Sequence, residues 1–213
     1  MPPKLILAFD TSAAHCAVAL VLGDRVLADV AEPMTKGQAE RLFPLIEQVL
    51  TDTGHTYDDL GAIGVGVGPG NFTGVRISVS AARGLALARN IPAIGISRLA
   101  AMAYGATGVN QIVLDARRAR IYTQEFHAGK ATNDPKMIAV DEMSGDQEQI
   151  ILAPQDVDLI ERFKIAQLPK HSIALATAYL AHDRFDDDNP RPAPLYLRDA
   201  DAAVSSDPLP TIL

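Results

Sequence analysis

The segment Gly68-Pro69-Gly70-Asn71-Phe72-Thr73-Gly74-Val75-Arg76 gathers the residues best suited to chemistry. It falls between an apolar strand and a helix, so its backbone N–H groups could face an anion at a helix N-terminus. It lacks the Gly-Lys-Ser/Thr of a phosphate-binding P-loop, and its glycine spacing is not that of a dinucleotide fingerprint. Pro69 also removes a donor. The same residues equally make a tight turn whose glycines supply positive φ and whose Thr73 or Asn71 caps the helix.

A second polar turn, Asp10-Thr11-Ser12, stops the first apolar run. An aspartate at a strand end either holds a metal-bound phosphate, as in sugar kinases and actin-like ATPases, or merely forms the turn. The glycine-rich adenosine segment that such a nucleotide site needs is not evident in the second half. The five histidines offer no metal pair: His15, His55 and His127 fall on different elements. His171 and His182 share a predicted helix face but stand about 16 Å apart along it. No Ser or Cys has a base beside it in sequence, so a peptidase finds no nucleophile. Cys16 reads as a packed core thiol on a strand.

Composition narrows the classes further. The chain has 213 residues, 48% apolar and 21% charged, which is ordinary globular usage and long enough for a substantial core. Its formal charge of −7 and 5% aromatic content argue against autonomous binding to nucleic acid, with Arg117, Arg118 and Arg120 at most a supplementary contact. A lone cysteine excludes a disulfide framework. The apolar run ending at Asp10 is too short for a signal peptide or a membrane span, and the expected location is the cytoplasm.

These residues need elements to hold them. Residues 5–9, 16–20 with 25–31, 62–67 and 91–96 read as strands, the second and third joined by a turn at Gly23-Asp24. Residues 38–53 carry Ala39, Leu42, Phe43, Ile46, Val49, Leu50 and Thr53 on one helical stripe, with Gly54 as the terminating residue and a bend expected at Pro44. Residues 73–90 form a second helix and 99–104 begin a third. This order implies an α/β domain with a mixed sheet. Beyond it, 111–114 and 120–127 read as strands, 129–149 as irregular, 171–182 as a short helix, 186–194 as an acidic, proline-rich linker, and the stretch from Ser205 onward as a loose tail. The expected division is 1–104 and 105–213, and no internal repeat of fixed period is found.

The two long helices leave residues unexplained. The first turns Gln38, Arg41, Leu45, Gln48 and Asp52 away from its apolar stripe. The second shows Arg76, Ser80, Arg83 and Leu87, beside stripes of small residues at 74, 78, 82, 86 and at 80, 84, 88. Two neighbouring faces that each expose one leucine amid arginines would make a docking surface. Single exposed leucines are also ordinary.

Taken together, the chain resembles the TsaB (YeaZ) family. The resemblance is carried by Ile6-Leu7-Ala8-Phe9-Asp10-Thr11-Ser12, Glu40-Arg41-Leu42-Phe43-Pro44, the Gly68 to Arg76 segment, Gly84-Leu85-Ala86-Leu87-Ala88, Ile94-Gly95-Ile96-Ser97, Asp115-Ala116-Arg117-Arg118 with Ile121-Tyr122, and Pro194-Leu195-Tyr196-Leu197-Arg198. It spans nearly the whole chain, with departures at Gln38-Ala39-Glu40, Asn71 and Ala119-Arg120. It implies an actin-like/Hsp70-like (ASKHA), ribonuclease H-like fold of two α/β subdomains with mixed sheets. It also implies a non-catalytic scaffold of the TsaD transferase, which places threonylcarbamoyl on the adenosine beside the anticodon of tRNAs reading codons that start with A. A TsaE-like ATPase joins them, and the family pairs with TsaD or with itself through the two N-terminal helices.

On that footing the expected interface is Gln38, Arg41, Leu45, Gln48, Arg76, Ser80, Arg83 and Leu87. The motif turn is Gly68, Pro69, Gly70, Phe72, Thr73, Gly74 and Arg76, and Asp10, Thr11 and Ser12 are a vestigial nucleotide contact. No catalytic or metal-binding residue is expected, ATP and metal belong to partner subunits, and tRNA is met only through the complex. The rival reading is a stand-alone actin-like ATPase or kinase using Asp10 and Thr11.

Overall fold

The computed structural model describes residues 4–143, 150–154, 156–163, 166–185 and 188–197. A first sheet begins with β1 (Leu5–Asp10), β2 (His15–Leu22) and β3 (Arg25–Pro33), an antiparallel meander. Helix α1 (Gln38–Asp52) then leads to β4 (Ala62–Gly66), and α2 (Phe72–Arg89) leads to β5 (Ala93–Ile96). Both later strands are parallel to β1, which gives the order β3-β2-β1-β4-β5.

β1 is apolar at every position before Asp10 because both of its faces are covered. Leu7 and Phe9 join Leu42, Ile46 and Val79 under α1 and α2, while Ile6 and Ala8 join the alanines of a late helix on the opposite face. That opposite layer is thin: a Cβ on Gly64 of β4 would lie 2.9 Å from the Ala181 Cβ, so only glycine permits the approach.

After α3 (Arg98–Ala103), the chain builds a second sheet on the same plan. β6 (Val109–Asp115) pairs antiparallel with β7 (Arg120–His127), which also pairs with β8 (Lys130–Ala131) and β9 (Lys136–Ala139). β10 (Ile150–Leu152) and β11 (Ala166–Gln167) add in parallel on the other side of β6, with α4 (Val157–Arg162) between them. The order β8-β7-β6-β10-β11 repeats that of the first sheet. The molecule is a duplicated ribonuclease H-like unit, the actin-like architecture. The duplication lies in strand order and polarity rather than in a fixed sequence period.

The second unit differs from its expected outline in three ways. The stretch 129–149 contains β8, β9 and one helical turn at Val140–Glu142, with 144–149 outside the described residues. β10, α4 and β11 are additional elements. Finally, α5 (Ile173–Asp183), capped by the Ser172 hydroxyl, packs on β1, β2 and β4 of the first sheet, so a cut near 105 does not separate the packing. His171 therefore precedes the helix, and its ring packs with Tyr104 and Tyr179. Residues 188–197 run without helix or strand, and the expected loose tail lies outside the described residues.

Candidate functional site

The motif turn serves as a clamp. Asn71 caps α2, its side chain accepting the Gly74 N–H at 2.9 Å, and Thr73 does not take that role. The Asn71 N–H donates to the Ser12 carbonyl at 2.7 Å, and the Thr11 hydroxyl donates to the Gly74 carbonyl at 2.6 Å. Side chains at Gly70 and Gly74 would collide with the carbonyls of Ser12 and Thr11. Gly68 has φ 89 and Gly68-Pro69 is a cis peptide; the Gly68 carbonyl accepts the Arg98 N–H at 2.6 Å. The C-terminal segment closes the other side, where the Leu195 N–H donates to Val67 and Arg76 Nε donates to the Tyr196 hydroxyl at 2.9 Å. Arg76 also stacks on the Phe72 ring, 3.7 Å from its centroid.

This clamp occupies the turn that a phosphate would need. Asp10, Thr11 and Ser12 are fully buried. Asp10 Oδ1 accepts the Ser12 N–H and hydroxyl at 2.8 Å each and lies 2.7 Å from His15 Nε2, while Gly66 crowds Oδ2. Burial pushes the Asp10 carboxyl up, but the His15 hydrogen bond, the charges of His15 and Arg98 and the Ser12 N–H outweigh it and hold it below the usual carboxylate range. These three residues do not fit a bound phosphate or its metal, because their polar atoms are already engaged within the fold. Among the described residues, no three His, Cys, Asp or Glu side chains come together as metal ligands.

The second feature is a groove of about 470 Å³ between α1 and α2. Its walls are Ala39, Leu42 and Phe43 from α1, and Ile77, Ser80, Ala81, Gly84 and Leu85 from α2. It forms because Ser80 and Gly84 carry too little bulk to fill the space between the helices. Phe43 is 41% exposed at its edge, and Leu87, one turn beyond Gly84, is 83% exposed.

The structure corrects the expected face at Leu45. That side chain is fully buried, and Phe43, expected in the core, points outward. The apolar residues of α1 span an arc wider than one sheet can cover, so an edge residue is left out, and it is Phe43. Gln38 donates to the Met34 carbonyl at 3.2 Å, and Arg41 forks onto Glu32 at 2.7 and 2.6 Å and reaches Gln48 at 3.0 Å. That fork lowers the Glu32 carboxyl pKa. Ser80 lies in the groove, Arg83 is exposed on α2, and Arg76 belongs to the clamp instead. Ala39, Phe43, Ile77 and Gly84 were not expected there; their signal is the four-residue spacing of 39 with 43 and of 80 with 84.

The comparisons bear on the whole of this arrangement. A family model for TsaD, tRNA N6-adenosine threonylcarbamoyltransferase, matches residues 26–155. The tRNA threonylcarbamoyladenosine biosynthesis protein TsaB of Escherichia coli is 39% identical over 126 residues, 57% of this chain and 54% of the relative. An uncharacterized protein of Mycobacterium tuberculosis is 32% identical over 194 residues, covering 86% of this chain and 83% of its own. The solved structure of YeaZ from Pseudomonas aeruginosa superposes with a TM-score of 0.75 at 26% identity, covering 91% of this chain and 100% of that one.

The chain belongs to the TsaB (YeaZ) family. It spans about half the length of the TsaB relatives from E. coli and Bacillus subtilis that it matches. The fold it shares with YeaZ is the ASKHA fold that the resemblance implied. In this TsaB-family chain the segment from Gly68 to Arg76 joins α2 to the β1–β2 turn, and the open groove lies on the outer side of the same helix. No described helix is long and apolar enough to cross a membrane.

Proposed function

We propose that this chain is the non-catalytic scaffold of a cytoplasmic complex that threonylcarbamoylates the adenosine beside the anticodon of tRNAs reading codons that start with A. Its partner is a TsaD-like transferase subunit, docked on the face of α1 and α2, with a TsaE-like ATPase joining the pair. The observation that carries the reading is the apolar groove between these helices, flanked by exposed Phe43 and Leu87. Open apolar surface of this kind marks a protein–protein contact. The engaged Asp10-Thr11-Ser12 turn supports assigning ATP and metal to the partner subunits. The net charge of −7 supports tRNA contact made through the complex rather than by this chain alone. A second copy of the chain would use the same groove in the partner's absence.

The test is co-purification with the transferase subunit, read by gel filtration and by nucleoside analysis of tRNA modified in vitro. Phe43→Asp and Leu87→Asp should abolish the complex and the modification while the chain stays folded. A complex that survives both substitutions, or modification by this chain alone, would refute the reading.

A further inference from the structure

The cleft between the two sheets contains an arginine whose guanidinium has no acceptor among the described residues. Arg98 opens α3 and is only 7% exposed, and its side chain lines a space of about 570 Å³ between the sheets. Among the described residues no group accepts a hydrogen bond from its guanidinium, and no carboxylate lies within ion-pair distance. A guanidinium presents five donors in a planar fork and keeps its charge at any physiological pH. The Arg98 nitrogens are not sealed off but open on the cleft, so an oxyanion entering there would take the place of water on the fork. Burial lowers the Arg98 pKa against the pull of the Asp10 and Asp156 charges, which compensate it through space without filling its donors.

The opposite wall is acidic. Asp115 ends β6 and Asp156 immediately precedes α4 without capping it through its side chain, and both line the same cleft. Asp156 Oδ2 accepts the Asp115 N–H at 3.1 Å, and Asp115 Oδ1 accepts the Arg117 N–H at 2.7 Å. Among the described residues, the second oxygen of each carboxylate has no donor. Arg117 and Asp115 both line the cleft at its exposed edge, where solvent screens their charges, and Asp156 is the less exposed of the two carboxylates. A polyphosphate would face these two carboxylates across the space, and a simple cation would face Arg98. A volume near 570 Å³ suits a small molecule that carries both charges.

We propose that the cleft binds a small zwitterion of the α-amino-acid class, its carboxylate forked on Arg98 and its ammonium held by Asp115 and Asp156.

Calorimetric titration of the full chain with each of the common L-amino acids tests this, with propionate, ethylamine, inorganic phosphate and Mg-ATP as comparisons. At least one amino acid should bind saturably, and propionate and ethylamine about tenfold or more weakly, since each lacks one charge. Arg98→Met, which removes the buried charge but keeps an apolar stem, should weaken binding about tenfold or more, and Asp156→Asn should do the same. Arg98→Lys keeps the charge without the fork and should fall between; together with Asp156→Asn it decides the question should Arg98→Met not fold. No saturable binding up to about 10 mM, the weak end of specific recognition, would overturn the proposal. So would amino-acid binding that ignores both Arg98 substitutions, or Arg98-dependent binding of phosphate or Mg-ATP in preference to every amino acid.

Discussion

Thr11 and Gly74, 63 positions apart, are joined by a hydroxyl-to-carbonyl hydrogen bond of 2.6 Å within a fully buried contact. The carbonyl of Thr11 in turn lies where a Gly74 side chain would be. The first turn of α2 is thereby seated on the β1–β2 turn, and two backbones touch without intervening side chains.

That contact makes Gly74→Ala strongly destabilising. The new methyl meets backbone rather than a movable side-chain end, so the loss should reach about 3 kcal/mol or more. Gly84, on the same helix, provides the control: a Cβ there meets nothing within 4 Å. Gly84→Ala should raise stability by up to about 1 kcal/mol through helix propensity alone. Chemical denaturation of the two variants should move the midpoint in opposite directions.

Phe43 and Leu45 predict a second contrast. Leu45→Asp would place a carboxylate in the fully buried core beneath α1, costing about 4 kcal/mol or more and unfolding much of the protein at ambient temperature. Phe43→Asp removes a ring already 41% exposed, at a cost of about 1–2 kcal/mol. Circular dichroism should find Phe43→Asp folded and Leu45→Asp not. Only the first of these variants can then report on docking.

Phe43 also marks where sequence patterning loses its hold. The strands of the first sheet were legible because apolar runs end at Asp10, Gly23 and Gly68, and the helices because their stripes are long. The stripe of α1 includes more apolar positions than β1, β2 and β4 can cover, and nothing local says which edge the sheet leaves open. β10, α4 and β11 have three, six and two residues, too few for any period to emerge. The role of Asp10-Thr11-Ser12 turned on Gly74, a contact between distant segments. Arg98 stands just before the predicted third helix with no local pattern to mark it; its burial follows from the return of the second sheet over α3.

Cys16 predicts a chemical silence. Burial raises its thiol pKa to about 11, with Glu32 and Asp10 pushing the same way against Arg41. The thiolate is the reactive form, so the native chain should resist a disulfide reagent at pH 8. In denaturant, where the ordinary thiol value of about 8.5 returns, one equivalent should react within the mixing and labelling time. Rapid labelling of the native protein would show that β2 opens readily.

Asp10 and Asp156 should give pH dependences of opposite sign. The Asp10 carboxyl is held below its ordinary value in the folded chain, so its contribution is fully present above the unfolded carboxylate value of about 3.9. It is lost as pH falls below that point toward the lower folded value. The Asp156 carboxyl is raised by burial, against the Asp115 N–H and the charge of Arg98. Folding therefore disfavours its charged form, and that penalty is present at neutral pH and relieved as pH falls through the raised folded value toward about 3.9. Asp10→Asn should cost stability at pH 7 and cost less as the pH is lowered below about 4. Asp156→Asn, which keeps an oxygen for the Asp115 N–H, should be neutral or stabilising at pH 7, and that advantage should shrink as acid is added. Urea midpoints for the three proteins from pH 7 to pH 3 would show the two difference curves diverging; parallel curves would contradict the opposed environments of these two carboxylates.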